Sequence, residues 1–130
     1  MSEEILRKLL SGAEEMSRMQ KEVERIAKML IGFLPANLPR EVVDKEISVL
    51  GFYCWWFHTT PQGYELSFCK WHADPEGGYK ERLYSATKGI PSLKHTQLIH
   101  GTLSLLLEGA IKKFPFMPNK WQPLIEAAKS

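Results

Sequence analysis

The chain has 130 residues, 44% hydrophobic and 25% charged, with a formal net charge of +2. This is the make-up of a globular domain that buries roughly two-thirds of its unfolded surface without help from a metal or disulfide, and its near-balanced charge gives no electrostatic reason to expect a polyanionic partner first. Two cysteines, Cys54 and Cys69, make no disulfide framework, and neither a secretory leader nor an apolar run of about 20 residues is present, so the expectation is a cytoplasmic protein with no membrane partner.

Residues 2–34 carry a helical pattern. Ile5, Leu9, Gly12, Met16, Met19, Val23, Ile26, Leu30 and Phe33 recur at alternating steps of four and three, the seam of a coiled coil. Leu6, Leu10, Ala13, Ala27, Ile31 and Leu34 widen that seam at its ends, and Ser17, Gln20 and Glu24 narrow its middle. A continuous helix of this length is about 50 Å long, whereas a compact domain of this size is about 36 Å across. The helix must therefore overhang, pair with another chain, or break. Ser11-Gly12-Ala13-Glu14 has the spacing of a capping box and is the candidate break. The seam suits a homodimer and an intrachain core helix equally. Pro35 and Pro39 are expected to end the helix.

The middle of the chain reads as a β-meander. Three of the four tryptophans, three of the six phenylalanines and all four tyrosines fall between Ile47 and Ala86. Aromatic and β-branched runs separated by Pro/Gly turns predict strands over about 46–59, 64–73 and 79–86. Thr60-Pro61-Gln62-Gly63 fits a type I turn, and Asp74-Pro75-Glu76-Gly77-Gly78 has the same chemistry. With three-residue loops, Cys54 faces Lys70 and Trp55 faces Cys69, while Lys70 faces Glu81 and Cys69 faces Arg82. The cysteines then point to opposite faces, which argues against a bridge between them. This register puts Leu50, Phe52, Cys54, Trp56, His58, Leu66 and Phe68 on the face expected to meet the helices. It puts Tyr53, Trp55, Phe57, Trp71 and Tyr84 on the other, bordered by Lys80 and Arg82.

A second helix is predicted over about 92–113, with Ser92 as its N-cap and Lys112-Lys113 in its last turn. The apolar strap Phe114–Pro118 follows, then a short helix over about 121–128. The whole is expected to be one α+β domain spanning residues 1–130: a three-stranded antiparallel meander packed by a long N-terminal and an apolar C-terminal helix.

Chemistry-bearing motifs are absent: no phosphate loop, no G-x-S-x-G and no H-E-x-x-H. Cys69-Lys-Trp-His72 has ligand-like spacing, but residues three apart on a strand face opposite ways, so no metal and no cofactor is expected. The favoured function is a non-enzymatic binding or interaction module that self-associates. Two binding constellations stand out. The first is the aromatic face of Tyr53, Trp55, Phe57, Trp71, Arg82 and Tyr84, suited to stacking and anion contacts. The second is a polar pocket between sheet and helices formed by His58, Lys70, His72 and Glu81, suited to a small-molecule ligand, with a Lys70–Glu81 cross-strand ion pair as the plainer account of the charged residues. The order helix, three antiparallel strands, helix, with methionines in the first helix, is similar to that of small bacterial nucleoid-associated dimers. That likeness of topology implies nucleic-acid binding as the alternative function.

Overall fold

The computed structural model describes residues 2–37, 44–114 and 118–129. The α+β class holds, with a four-stranded antiparallel sheet where three strands were expected. Pro39, one of the two prolines expected to end the first helix, and residues 115–117 of the strap lie outside the described residues.

Helix α1 (Glu3–Asn37) is continuous through Gly12, and Pro35 lies inside its last turn rather than ending it earlier. At 35 residues it is about 52 Å long. Its two halves have different fates. Val23, Ile26, Ala27, Leu30 and Leu34 are buried, so the C-terminal half is a core helix. Residues 3–15 are all exposed, so the N-terminal half overhangs the rest of the protein.

The predicted first strand is in fact two, β1 (Asp44–Leu50) and β2 (Tyr53–Thr60). Leu50 pairs with Tyr53 across the two-residue turn Gly51-Phe52. Gly51 has φ 60°, and a glycine with positive φ at the first central position makes a type II′ turn, whose twist matches that of the flanking strands. β3 (Gly63–Asp74) and β4 (Gly77–Ser85) complete the order β1-β2-β3-β4.

Both later hairpins also close on two residues, Pro61-Gln62 and Pro75-Glu76, and each following glycine has positive φ. The shorter first loop moves the β2–β3 register by one residue. Cys54 faces Cys69 and Trp55 faces Phe68, correcting the expected pairs. Between β3 and β4 the two-residue loop sets Lys70 opposite Glu81 and Cys69 opposite Arg82, the expected pairs, whereas a three-residue loop there would have set Lys70 opposite Arg82; a bulge before them brings Tyr84 opposite Phe68. Side chains alternate along a strand, so a one-residue slip changes the faces. Trp55, Phe57, Leu66, Phe68 and Tyr84 now form one core with α1 and the later helices. Cys54, Trp56 and His58 lie on the other face, and Leu50 and Phe52 are exposed.

The predicted second helix is also two, α2 (Leu93–Gly101) and α3 (Leu103–Lys113). The break falls at Thr102, whose hydroxyl donates to the Ile99 carbonyl at 2.7 Å and accepts from Trp55 Nε1 at 2.8 Å. A side chain that bonds back to the preceding turn and also serves a buried indole bends the chain there. Gly109 of α3 packs directly on β1, against the backbone of Ile47 and the Cβ of Ser48. α4 (Pro118–Lys129) is anchored by buried Trp121, which donates to the Phe114 carbonyl at 2.9 Å and packs on Phe33 at 4.8 Å between ring centroids. Arg25 of α1 donates to the carbonyls of Ala127 and Ala128, both at 3.0 Å, satisfying acceptors that the last turn of α4 cannot.

Candidate functional site

The aromatic face expected to be available to a ligand is largely the covered one. Trp55 is 1%, Phe57 0% and Tyr84 4% exposed, and Tyr53 packs against the same core. Trp71 and Arg82 lie on the opposite face, so the six residues do not form one surface. The predicted polar set also separates. Lys70, His72 and Glu81 meet near the β3–β4 hairpin, but Glu81 Oε1 is hydrogen-bonded to His72 Nε2 at 2.7 Å, with His72 stacked on Tyr79. Lys70 instead sits over the Tyr53 ring at 5.9 Å. His58 is on the other face and takes no part.

That other face holds a polar network built by alternation on two neighbouring strands. His58 of β2 and Glu65 of β3 are directly opposite each other. Both are buried, at 4% and 6% exposure, as is Ser67. His58 Nε2 lies 3.1 Å from Ser67 Oγ and 4.0 Å from Glu65 Oε2. Glu65 Oε1 accepts from Arg82 Nη1 at 3.2 Å, while the Arg82 side chain remains 43% exposed. A buried carboxylate is costly unless it is paired and hydrogen-bonded, and Arg82 supplies that partner from the outside.

Trp56 stacks on His58, centroids 3.6 Å apart. Lys80 Nζ lies 4.0 Å from the Trp56 centroid and 5.1 Å from that of Trp71, and it reaches Glu46 at 3.1 Å. Lys80 is on one edge strand and Glu46 on the other. With strands about 4.8 Å apart, these side chains lie across the face to bridge three intervals. Beneath them Cys54 and Cys69 are opposite one another as free, buried thiols, not on opposite faces as expected. Cys69 is held above the ordinary thiol range, first by its hydrogen bond to Cys54 and then by burial.

At the end of the sheet the Glu65–Arg82 pair forms one wall of a pocket of about 390 Å³. Thr60, Gln62 and Tyr64 come from the β2–β3 hairpin, and Thr87 and Lys88 from the 3-10 turn Ala86–Lys88 that follows β4. The Ser85 hydroxyl caps that turn by accepting from the Thr87 backbone amide at 3.3 Å. Tyr64 stacks in parallel on buried Phe57, which fixes its ring. The charged lining is Arg82, Lys88 and Glu65, a net of one positive charge, with hydroxyl and amide groups around it. Sequence reasoning missed this pocket because Glu65, Arg82 and Lys88 are far apart along the chain. The β3–β4 pairs expected from the sequence already set Glu65 and Arg82 on one face, but not the approach of the 3-10 turn that brings Lys88 beside them. Among the described residues no three His, Cys, Asp or Glu side chains converge on a metal-sized site, and no described helix is long and apolar enough to cross a membrane.

No protein-family model, curated protein or solved structure matches this chain.

Proposed function

We propose that the protein is a binding module for a small anionic molecule, held by Arg82 in the pocket at the end of the sheet. The observation that carries this reading is the Glu65–Arg82 pair. A carboxylate that is 6% exposed anchors a guanidinium that is 43% exposed on its side chain, at the wall of a cavity large enough for a small ligand. An arginine fork positioned this way matches a carboxylate or phosphate bidentately. Lys88 adds charge and Tyr64 offers a ring held by Phe57. The pairing with Glu65 keeps the site from being a general sink for polyanions, which fits the small net charge of the chain.

Isothermal titration with inorganic phosphate and a series of short dicarboxylates tests the proposal. Saturable binding is expected for at least one of them. Arg82→Lys should weaken it roughly tenfold and Arg82→Ala by more, since a charge-assisted contact is worth about 1.5–3 kcal/mol. Binding that is unchanged in both variants, or no saturable heat from any member of the series at millimolar concentration, overturns it.

A further inference from the structure

The overhanging half of α1 is a projecting apolar stripe. Ile5, Leu6, Leu9 and Leu10 are 51%, 50%, 58% and 56% exposed, within a run from Glu3 to Glu15 in which every residue is exposed. Four large apolar side chains on one side of a projecting helix mark an interaction surface. We propose that this stripe is covered by the same stretch of a second copy of the chain, running antiparallel, so that the two domains sit at opposite ends of a short helical bridge.

The residues select both the orientation and the register. Along the seam, Ile5 and Gly12 occupy d positions and Leu9 and Met16 occupy a positions. An antiparallel pair sets each a opposite a d of the other copy. Placing Leu9 against Gly12 of the second copy also places Ile5 against its Met16. Lys8 then stands beside Glu15 of the second copy, and symmetry repeats the contact, giving two opposite-charge pairs on one flank. Leu6, Leu10 and Ala13 line the other flank. Gly12 offers room for the facing leucine, since nothing within the chain lies within 4 Å of where its Cβ would be.

Competing arrangements fit worse. Moving the antiparallel register by one heptad toward the N-terminus sets Lys8 beside Lys8. Moving it the other way sets Glu15 beside Glu15 and requires Val23, which is 0% exposed in its own core. A parallel pair sets Lys8 beside Ala13 and Glu15 beside Gln20, with no charge partner for either. Within the chain Lys8 pairs with Glu4 at 4.0 Å and Glu15 with Arg18, but Lys8 and Glu15 are 79% and 52% exposed there. Such surface pairs hold side chains weakly and leave them free to exchange partners. The chosen register uses the span from Ile5 to Met16 and leaves Val23, Ile26 and Leu30 in the core they already occupy.

Light scattering and pulsed electron resonance test this on the full chain. A dimer mass is expected at tens of micromolar. Spin labels on Ser2→Cys should stand about 25 Å apart along the bridge, because residue 2 is level with residue 19 of the second copy; the native thiols are buried and escape labelling. Lys8→Glu and Glu15→Lys should each weaken the dimer roughly tenfold, and the double variant should recover it. A monomer mass overturns self-association altogether. A dimer whose labels are about 10 Å apart overturns the antiparallel orientation, and a double variant as weak as the single ones overturns the register. Circular dichroism of each variant separates loss of pairing from loss of the fold.

Discussion

Gly109→Ala should destabilise the protein, although alanine is the better helix former. In the exposed middle of a helix the exchange stabilises by up to about 1 kcal/mol. At Gly109 the added Cβ would overlap the carbonyl oxygen of Ile47 and lie 3.0 Å from Ser48 Cβ and 3.1 Å from the Ile47 carbonyl carbon. Two of those three atoms are backbone in β1 and cannot rotate away. Relief requires α3 to withdraw from the sheet, loosening the contacts of buried Leu103, Leu106 and Ala110. Overpacking of this kind costs about 1–3 kcal/mol and more when backbone must move, so the net expected loss is about 1–2 kcal/mol. Gly32→Ala is the matched control: it lies in α1, is exposed, and nothing is within 4 Å of its Cβ position. It should gain about 0.5–1 kcal/mol. Urea unfolding followed by circular dichroism measures both. If Gly109→Ala is as stable as the parent while Gly32→Ala is stabilised, the close packing of α3 on β1 is refuted.

Trp55→Phe should cost about 2–3 kcal/mol through a lost indole hydrogen bond and a partial cavity, and Thr102→Val should cost about 1–2. Because Trp55 Nε1 and the Thr102 hydroxyl are partners at 2.8 Å, the double variant should lose clearly less than the sum, and strict additivity in urea unfolding would count against the bond. Tyr84 has its phenol pushed up to about 12 from 10.0, first by burial and then by the Glu24 carboxylate, and it donates to the Gly89 carbonyl at 2.6 Å. A raised folded pKa gives stability that is complete below pH 10 and is lost as pH rises toward 12. Tyr84→Phe should therefore flatten stability across that window, at a cost of about 1 kcal/mol at neutral pH; a parent whose stability is level from pH 10 to 12 would disprove the assignment. Ellman's reagent should find no reactive thiol in the native protein and two in urea, since Cys54 and Cys69 are each 1% exposed; fast native reaction would show the sheet face to be open.

Local chemistry in the sequence determined the fold class. The three-and-four spacing of apolar residues from Ile5 to Phe33 specifies a helix whatever lies beside it, and Pro/Gly punctuation between aromatic runs specifies antiparallel hairpins. Gly51 was a turn signal too, but a glycine in a long apolar run also suits a bulge, and only pairing of Leu50 with Tyr53 distinguishes the two. Likewise Gly101-Thr102 is compatible with a continuous helix until the Trp55 indole claims the Thr102 hydroxyl. Tertiary structure decided the register, and with it the candidate site. Thr60-Pro61-Gln62-Gly63 accepts a loop of two residues or three on local grounds, and the difference reverses which β2 side chains face the helices. The physical reason is burial. Placing Trp55 and Phe57 opposite Phe68 and Leu66 gives the helices one continuous apolar surface, while the alternate face, left with His58, Glu65, Ser67 and Arg82, can satisfy its polar groups only by pairing them across strands. An overhang is one of three outcomes that the length of α1 allows. That it overhangs without breaking was decided by the core, which covers the helix only from its middle onward.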